Sequence, residues 1–265
     1  MYHRTVRPKK SLGQHFLKDL SVAERIAQTL GDFPLLPVLE VGAGTGVLTQ
    51  FLLREQRDLQ VVELDAESVA YLEKHYPTLN GRILQQDFLK LNLADLYRQA
   101  FCVIGNYPYN ISTQIFFKIL EYKDLIPCCS GMIQKEVAER LTAKAGTKAY
   151  GIITVFLQAW YDIEYLFTVE PQVFDPPPKV RSAVIRLTRN RRTTLDCDEK
   201  LFRQVVKTAF NQRRKTMRNS LKSMLSKEHP LSQDPVFDKR PEQLTVDEFI
   251  ALTQQISAAI AGQTE

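Results

Sequence analysis

The chain has 265 residues, 44% hydrophobic and 25% charged, which suits one large globular domain or a domain with an appendage. No apolar stretch approaches the length of a membrane-spanning helix, and no apolar signal core follows the basic N-terminus, so a cytoplasmic protein without a membrane partner is expected. The four cysteines lack metal-ligand spacing and histidine partners, which favours buried thiols over disulfides and predicts no metal site.

The net charge of +5 is distributed unevenly along the chain. Residues 179–227 contain fifteen Lys or Arg but three Asp or Glu, and residues 1–18 add five basic residues and no acidic one. Such concentrated positive charge favours a polyanionic partner that is bound by the N-terminal arm and the C-terminal part of the chain. A solvated charged face is the alternative interpretation.

Strand-like and helix-like runs alternate through the first two thirds of the chain. The repeated β-α units predict a mostly parallel sheet that is covered by helices on both faces. Predicted strands are 38–41, 59–64, 82–86, 101–105 and one that begins at 131, and predicted helices are 21–30, 47–55, 66–76, 112–121 and 135–143, with later apolar runs at 154–161 and 180–187.

The pattern changes at a polar, basic linker over residues 188–193. Helices are predicted after it, at 199–210, at 213–225, and at the end of the chain, where Thr245–Glu248 has the pattern of a capping box. The prediction is therefore an α/β domain over residues 1–189, which includes the N-terminal arm, followed by an all-helical domain over residues 190–265.

A cofactor site is predicted at the ends of the first strands. The sequence Glu40-x-Gly42-x-Gly44-x-Gly46 follows a strand and opens a helix, and glycines there allow a ligand to approach the backbone closely. Two acids, Glu63 and Asp87, end the next two strands, where they could hold a ribose hydroxyl and an adenine amine. The glycine spacing departs from the G-x-G-x-x-G of dinucleotide sites, which favours S-adenosylmethionine. A nicotinamide-dependent oxidoreductase and a tight turn with two surface acids are the alternatives.

A second motif, Asn106-Tyr107-Pro108-Tyr109, ends the fourth strand. The Asn side-chain oxygen and a carbonyl of the turn could accept both N–H bonds of the adenine amine, which frees the nitrogen lone pair for attack on a methyl donor. Proline keeps the turn rigid, and an aromatic ring can stack on the base. The alternative is a strand-to-loop turn with a buried tyrosine.

These motifs together resemble the rRNA adenine N6-dimethyltransferase family over nearly the whole chain. The segments that match it are an N-terminal cofactor-gating segment, the glycine motif with its two acids, the catalytic turn, a late loop and the start of an RNA-facing domain: residues 10–17, 40–49, Glu63, Asp87, 106–109, 173–180 and 210–219. The last segment and the length of the tail favour the small-subunit branch over the erythromycin-resistance methylases.

The resemblance implies a class I S-adenosylmethionine-dependent methyltransferase domain, which is Rossmann-like, with a small C-terminal all-α domain. Residues implied to contact the cofactor are His15, Leu17, Gly42, Gly44, Glu63, Asp87 and Asn106. In catalysis, Asn106 would polarise the amine, while Tyr109 and Phe174 would sandwich the adenine; without the resemblance, Phe174 would be read as an anchor of a rigid loop to the core. Residues implied to bind RNA are Arg213, Arg214, Lys215 and Arg218.

The resemblance further implies the reaction and the partner. Methyl groups would pass from S-adenosylmethionine to N6 of two adjacent adenosines near the 3′ end of small-subunit (16S) rRNA, on an immature subunit, and the enzyme would be a monomer. A ribosome-assembly factor that acts mainly by binding is the alternative. Two positions depart from the commonest family pattern: His15 stands where Asn is frequent, and Tyr107 where Leu is usual. An inward-pointing Tyr107 would narrow the pocket and hinder a second methyl transfer.

Overall fold

The computed structural model describes residues 6–9 and 12–262. Most of the predicted N-terminal RNA-contacting arm, including residues 1–5 and 10, lies outside the described residues. A seven-stranded sheet has the strand order β4-β3-β2-β5-β6-β9-β7. Its strands are β2 (Val38–Val41), β3 (Leu59–Val62), β4 (Ile83–Leu84), β5 (Cys102–Asn106), β6 (Cys128–Gln134), β7 (Tyr161–Val169) and β9 (Ser182–Arg189), and a separate pair is formed by β1 (Phe16–Leu17) and β8 (Phe174–Asp175).

The centre of the sheet is parallel, as the sequence predicts. Strand β2 pairs in parallel with β3 and with β5, β3 pairs with β4, and β5 pairs with β6. Strand β9 then pairs antiparallel with β6. All four residues of β2 are buried, as expected for a strand covered on both faces. The carboxyl ends of β2, β3 and β5 consequently meet at one edge of the sheet.

The α-helices lie between the strands and after the last of them. Their bounds are α1 (Leu20–Ala27), α2 (Thr49–Arg54), α3 (Ala66–His75), α4 (Leu93–Leu96), α5 (Ser112–Glu121), α6 (Lys135–Leu141), α7 (Ile152–Gln158), α8 (Glu199–Asn211), α9 (Met217–Ser220) and α10 (Val246–Ala261). The predicted capping box of the last helix is present, because the Thr245 hydroxyl accepts from the Glu248 N–H and the Glu248 carboxylate accepts from the Thr245 N–H.

Two of the predicted helices are wrong in detail. Helix α1 begins at Leu20 and not at the predicted residue 21, because the Asp19 carboxylate caps it by accepting the Ser21 and Val22 N–H groups. The helix predicted over 213–225 shrinks to the four residues of α9. There the Met217 N–H donates to the carbonyl of Lys239 at 2.8 Å, so a contact with a distant segment replaces a helical hydrogen bond.

The chain divides into two compact units. The first unit comprises the described residues up to Ala138 together with Asp162–Arg189, and the second comprises Glu139–Tyr161 together with the described residues from Asn190 onwards. The second unit therefore includes residues 139–161, which the sequence assigns to the first domain. In the second unit, α8 and α10 bring the rings of Phe210 and Phe249 to 5.9 Å.

Within residues 6–9 and 12–262, no helix is long and apolar enough to cross a membrane. In the same residues, no group of His, Cys, Asp and Glu side chains is arranged to hold a metal ion. The four cysteines are free thiols, three buried and one, Cys197, half-buried.

Candidate active site

A cavity of about 320 Å³ lies at the carboxyl edge of β2, β3 and β5. Its lining joins residues that are far apart in the sequence, including all seven predicted to bind the cofactor and Tyr109 of the predicted catalytic turn. The seven are His15, Leu17, Gly42, Gly44, Glu63, Asp87 and Asn106. The parallel topology explains this convergence, because open α/β sheets collect ligand contacts where their strands end.

The glycine turn after β2 forms the floor of the cavity. Gly42 and Gly44 have φ of +73° and +57°, in the left-handed region that glycine adopts without strain. A Cβ on Gly44 would come within 2.9 Å of the Phe16 ring, so the turn packs directly beneath the N-terminal segment. We call residues 12–17 the strap, because they cross this edge of the sheet and line the cavity.

Glu63, immediately after β3, braces the glycine turn. One carboxylate oxygen accepts the Gly44 N–H at 2.9 Å, and the other accepts the Asp65 N–H at 2.9 Å. Burial raises the pKa of Glu63, and these two backbone donors oppose that shift. Because each carboxylate oxygen can accept more than one hydrogen bond, Glu63 keeps acceptor capacity for ribose hydroxyls while it holds the turn.

Asp87, beyond the end of β4, is the second acid of the cavity. Its carboxylate accepts the Leu89 N–H at 3.0 Å and so begins a short turn. The Lys118 ammonium donates to the Leu89 carbonyl at 3.0 Å, which fixes the same turn from α5. Both the N–H and the carbonyl of Leu89 are therefore hydrogen-bonded, which fixes the turn that carries Asp87.

Asn106 is the last residue of β5, and its amide has a defined orientation. The nitrogen Nδ2 donates to the His15 carbonyl of the strap at 3.1 Å. A carbonyl oxygen can only accept, so the amide atom that faces it must be the nitrogen. The oxygen Oδ1 is therefore the atom left to accept an N–H group from a molecule in the cavity.

Tyr109 stands at the rim, where three segments meet. Its hydroxyl lies 2.5 Å from the Ser182 hydroxyl, and its ring stacks on His15 with centroids 5.5 Å apart and planes 28° apart. The His15 imidazole in turn makes a 2.8 Å hydrogen bond to the Pro176 carbonyl. An aromatic face placed in this way suits stacking on a flat base.

Tyr107 is among the residues that line the cavity, but its side chain is buried in the protein interior. The residue is 1% exposed, and its hydroxyl donates to the Ser130 carbonyl of β6 at 2.8 Å. These contacts fix the ring in the interior, and the effect of Tyr107 on a second methyl transfer stays a prediction.

Phe174 is the one predicted catalytic residue that does not join the site. It is 1% exposed, belongs to the hydrophobic core and does not line the cavity. Strand β8 pairs antiparallel with β1, which sets Phe174 opposite Leu17 and turns its ring into the core. The structure thus supports the core-anchor interpretation and does not support stacking of Phe174 on a base.

Glu40 is a residue of the cavity that the sequence did not single out for a role. It is 1% exposed on β2, and its Oε2 has no hydrogen-bond partner among the described residues. Burial raises the pKa of Glu40 to about 8. An acid in an otherwise apolar strand covered on both faces was the signal that could have identified it.

The predicted RNA-binding residues lie in the second unit, at and after the C-terminal end of α8. The Arg218 guanidinium donates to Asp238 and to the Ser232 carbonyl, and Arg213 donates to the Lys148 carbonyl at 2.9 Å. Their side chains therefore hold neighbouring segments of the fold. Arg214 and Lys215 are exposed.

The strand order, the reversed strand β9, the glycine turn and the acids at successive strand ends define a class I S-adenosylmethionine-dependent methyltransferase. The site fits that cofactor. The positive-φ glycines allow close approach to the backbone, Glu63 can accept ribose hydroxyls, and Val47 stands where the G-x-G-x-x-G spacing of pyrophosphate sites has its third glycine.

Comparisons with known proteins specify the family. The sequence profile of the family described as "Ribosomal RNA adenine dimethylase" matches residues 6–254. A relative from Parabacteroides distasonis, described as "Ribosomal RNA small subunit methyltransferase A", is 67% identical over 94% of this chain and 94% of its own length. One of the same description from Flavobacterium johnsoniae is 56% identical over 96% of this chain and 97% of its own.

Solved structures agree with the fold. A dimethyladenosine transferase from Plasmodium falciparum aligns with a TM-score of 0.78 at 22% identity, over 92% of this chain and 98% of that one. The 23S rRNA methyltransferase ErmE aligns with a TM-score of 0.67 at 26% identity, over 91% and 99%. The chain belongs to the ribosomal RNA adenine dimethylase family. The predictions of the family, its small-subunit branch, the fold class, the enzyme class and the cofactor are thereby confirmed.

Proposed function

We propose that this chain transfers methyl groups from S-adenosylmethionine to N6 of two adjacent adenosines near the 3′ end of small-subunit rRNA, on a partly assembled subunit. The orientation of Asn106 carries this proposal. With Nδ2 bound to the strap, Oδ1 is left to accept one N–H of an adenine amine beside the cofactor residues. When the amine donates its two N–H groups to Oδ1 and to a carbonyl of the turn, its nitrogen lone pair is free to attack the methyl group.

Each residue of the cavity has a role in this reaction. The bound cofactor supplies an electrophilic methyl group on a sulfonium. Glu63 and Asp87 orient the ligand, and the turn after β2 lets it approach the backbone. Tyr109 offers its ring to the extruded base. Because the reactants meet in a fixed geometry, positioning can supply up to roughly 7–11 kcal/mol of the rate acceleration.

The RNA-binding role is proposed for Arg214 and Lys215, with Arg213 beside them. Both exposed side chains follow α8 in the second unit, in the segment where positive charge is concentrated. Arginine and lysine bind phosphates through charge and hydrogen bonds. We assign Arg218 to the fold instead, since its guanidinium is bound to Asp238 and to the Ser232 carbonyl.

The remaining parts of the proposal concern the setting of the reaction. The substrate is an immature small subunit, the enzyme acts as a monomer, and it works in the cytoplasm. The helical part after residue 190, together with residues 139–161, is the RNA-facing domain.

The proposal is tested by incubating immature small subunits with labelled S-adenosylmethionine, followed by nucleoside analysis. Dimethyladenosine at two neighbouring positions near the 3′ end is the expected product. Asn106→Ala should lower kcat by about 10²–10³-fold, as the loss of one well-placed polar group does in other enzymes. Binding of cofactor and RNA should change little, and Asn80→Ala, at an exposed surface position, is the matched control.

Label in another nucleoside, or none, would refute the proposed substrate. Unchanged turnover in Asn106→Ala would refute the role of that amide. An Asn106→Ala protein that still restores subunit maturation would show that a binding function coexists with methylation.

A further inference from the structure

Tyr107 occupies the centre of the catalytic turn, yet its side chain lies in the protein interior. Its ring is 1% exposed and packs edge-on against Phe116 of α5, with centroids 6.0 Å apart. Its hydroxyl donates to the Ser130 carbonyl at 2.8 Å and lies 3.3 Å from the Cys129 sulfur. Burial raises the pKa of the Tyr107 phenol, so it stays a neutral hydrogen-bond donor.

Two glycines that face each other across the sheet create the space for this ring. Gly105 of β5 and Gly131 of β6 are partners in register. A Cβ on Gly105 would lie 3.0 Å from the ring of Tyr107, and one on Gly131 would lie 2.6 Å from it. Gly131 also has a φ of +156°, which side-chain-bearing residues rarely adopt. The slot and the ring therefore fit each other.

The backbone of Tyr107 is tied to the same strand as its ring. Its N–H donates to the Met132 carbonyl of β6 at 3.0 Å, while its hydroxyl reaches Ser130 two residues earlier. Both ends of the residue are thus fixed to β6. Asn106 precedes Tyr107 and Pro108 follows it. The backbone that carries the groups proposed to bind the substrate amine is therefore fixed to β6 through Tyr107.

We propose that Tyr107 is a positioning residue for methyl transfer, a wedge in the Gly105–Gly131 slot that fixes the Asn106–Tyr109 turn. The inference rests on the proposed function, because it assumes that this turn holds the substrate amine. A displacement of about 1 Å in a reacting group can cost roughly 10²-fold in rate. Losing the wedge should therefore lower kcat.

Three variants test this role. Tyr107→Phe removes only the hydroxyl and should lower kcat about three- to tenfold. Tyr107→Leu introduces the residue that is usual in the family, but in this chain it leaves the Gly105–Gly131 slot unfilled and should lower kcat by up to roughly 100-fold. Tyr97→Phe is the matched control, because Tyr97 is also buried in the first unit and its hydroxyl donates to the Val38 carbonyl at 3.3 Å. The control should keep the wild-type kcat.

The ratio of monomethylated to dimethylated product distinguishes a positioning role of Tyr107 from a role in shaping the pocket. At equal total conversion, the ratio of N6-methyladenosine to N6,N6-dimethyladenosine should be the same in Tyr107→Leu and wild type, because both methyl transfers slow together. The cofactor Kd should also stay within about twofold. A changed ratio would mean that the side chain shapes the pocket, and an unchanged kcat would mean that the wedge has no role; either result overturns the inference.

Hydrogen exchange of residues 101–111 provides a readout that does not depend on activity. Tyr107→Leu should speed exchange of these amides relative to Tyr97→Phe, whereas equal exchange in the two would overturn the inference. A wild-type enzyme that labels no adenosine, combined with faster exchange in Tyr107→Leu, would remove the proposed function while the anchoring of the turn stands.

Discussion

The cavity and the basic segment of the second unit were both predicted from the sequence, and they differ in how their side chains are fixed. In the cavity, Glu63 accepts two backbone N–H groups and Asn106 donates to the strap, so functional groups are oriented by the fold. In the basic segment, Arg218 and Arg213 are bound to the fold itself, while Arg214 and Lys215 are exposed. The sequence motifs therefore predicted individual residues of the cavity, whereas the concentration of positive charge predicted only a region of the chain.

The largest effect is expected where a prediction for the cavity was not supported, at Phe174. Phe174→Ala should destabilise the protein by about 3–5 kcal/mol, because it leaves a void in the core. Denaturant unfolding measures the loss. Phe174→Leu keeps most of the packing, and its folded fraction should retain nearly wild-type kcat/KM for RNA.

If Phe174→Leu instead loses kcat/KM while its unfolding curve matches that of the wild type, the ring does meet the base. The cavity would then include a residue that moves out of the core on substrate binding.

Glu40 provides a test of the cavity through pH. Burial raises its pKa from the ordinary 4.5 to about 8, so between these pH values the unfolded chain releases a proton that the folded chain retains. Stability therefore falls as pH rises through this window, by up to about 1.4 kcal/mol per pH unit. Glu40→Gln removes this titration, so between pH 4.5 and pH 8 its stability relative to the wild type should rise by up to roughly 4 kcal/mol.

Unfolding by urea at a series of pH values gives the comparison. Glu24→Gln, at an exposed position on α1, is the control and should leave the pH profile unchanged. Parallel profiles for the wild type and Glu40→Gln would show that the Glu40 carboxyl titrates normally.

The Gly44 turn supplies a prediction with a closely matched control. Alanine at Gly44 meets the left-handed backbone, which costs about 1–2 kcal/mol, and its Cβ also meets the Phe16 ring at 2.9 Å. Alanine at Gly81 meets a similar φ of +75° with nothing within 4 Å. Both variants should lose the stability that the left-handed backbone costs, and Gly44→Ala should lose more because Phe16 must shift. Only Gly44→Ala should also weaken cofactor binding, by about tenfold, because it displaces the strap.

Isothermal titration with S-adenosylhomocysteine measures the difference. Equal cofactor affinity in the two variants would show that the packing of Phe16 on the turn is unimportant for binding.

The strand-end motifs were predictable because their signals are local. A glycine turn after an apolar strand, and acids at the ends of the next two, fix which side chains share an edge once the sheet is parallel. The direction of Phe174 was not predictable in this way, because it depends on the pairing of β1 with β8, which joins residues more than 150 positions apart. The burial of Tyr107 depends likewise on Gly131, which lies on another strand.

The helical part shows the same limit. Met217, Leu221 and Leu225 recur at helical spacing and are buried, yet the helix predicted over 213–225 is not formed over its full length. Hydrogen bonds from Met217 and Arg218 to residues 232–239 shortened that helix, and no local pattern reveals them.

The smallest effects are expected in the basic segment, where they would sharpen the contrast with the cavity. Arg214→Ala with Lys215→Ala should weaken RNA binding and reduce the slope of log K against log salt by about 0.7 for each lost single-strand phosphate contact. Arg218→Ala should leave that slope unchanged and cost less than about 1 kcal/mol of stability, because its pair with Asp238 is partly exposed.

The charge-matched control is Lys74→Ala with Lys90→Ala, two exposed lysines of the first unit. A slope reduced equally by the control would mean that net charge, and not the position of Arg214 and Lys215, governs binding. A slope reduced by Arg218→Ala would mean that Arg218 contacts RNA, as the sequence predicts. The concentration of charge would then predict individual contacts better than the hydrogen bonds of Arg218 indicate.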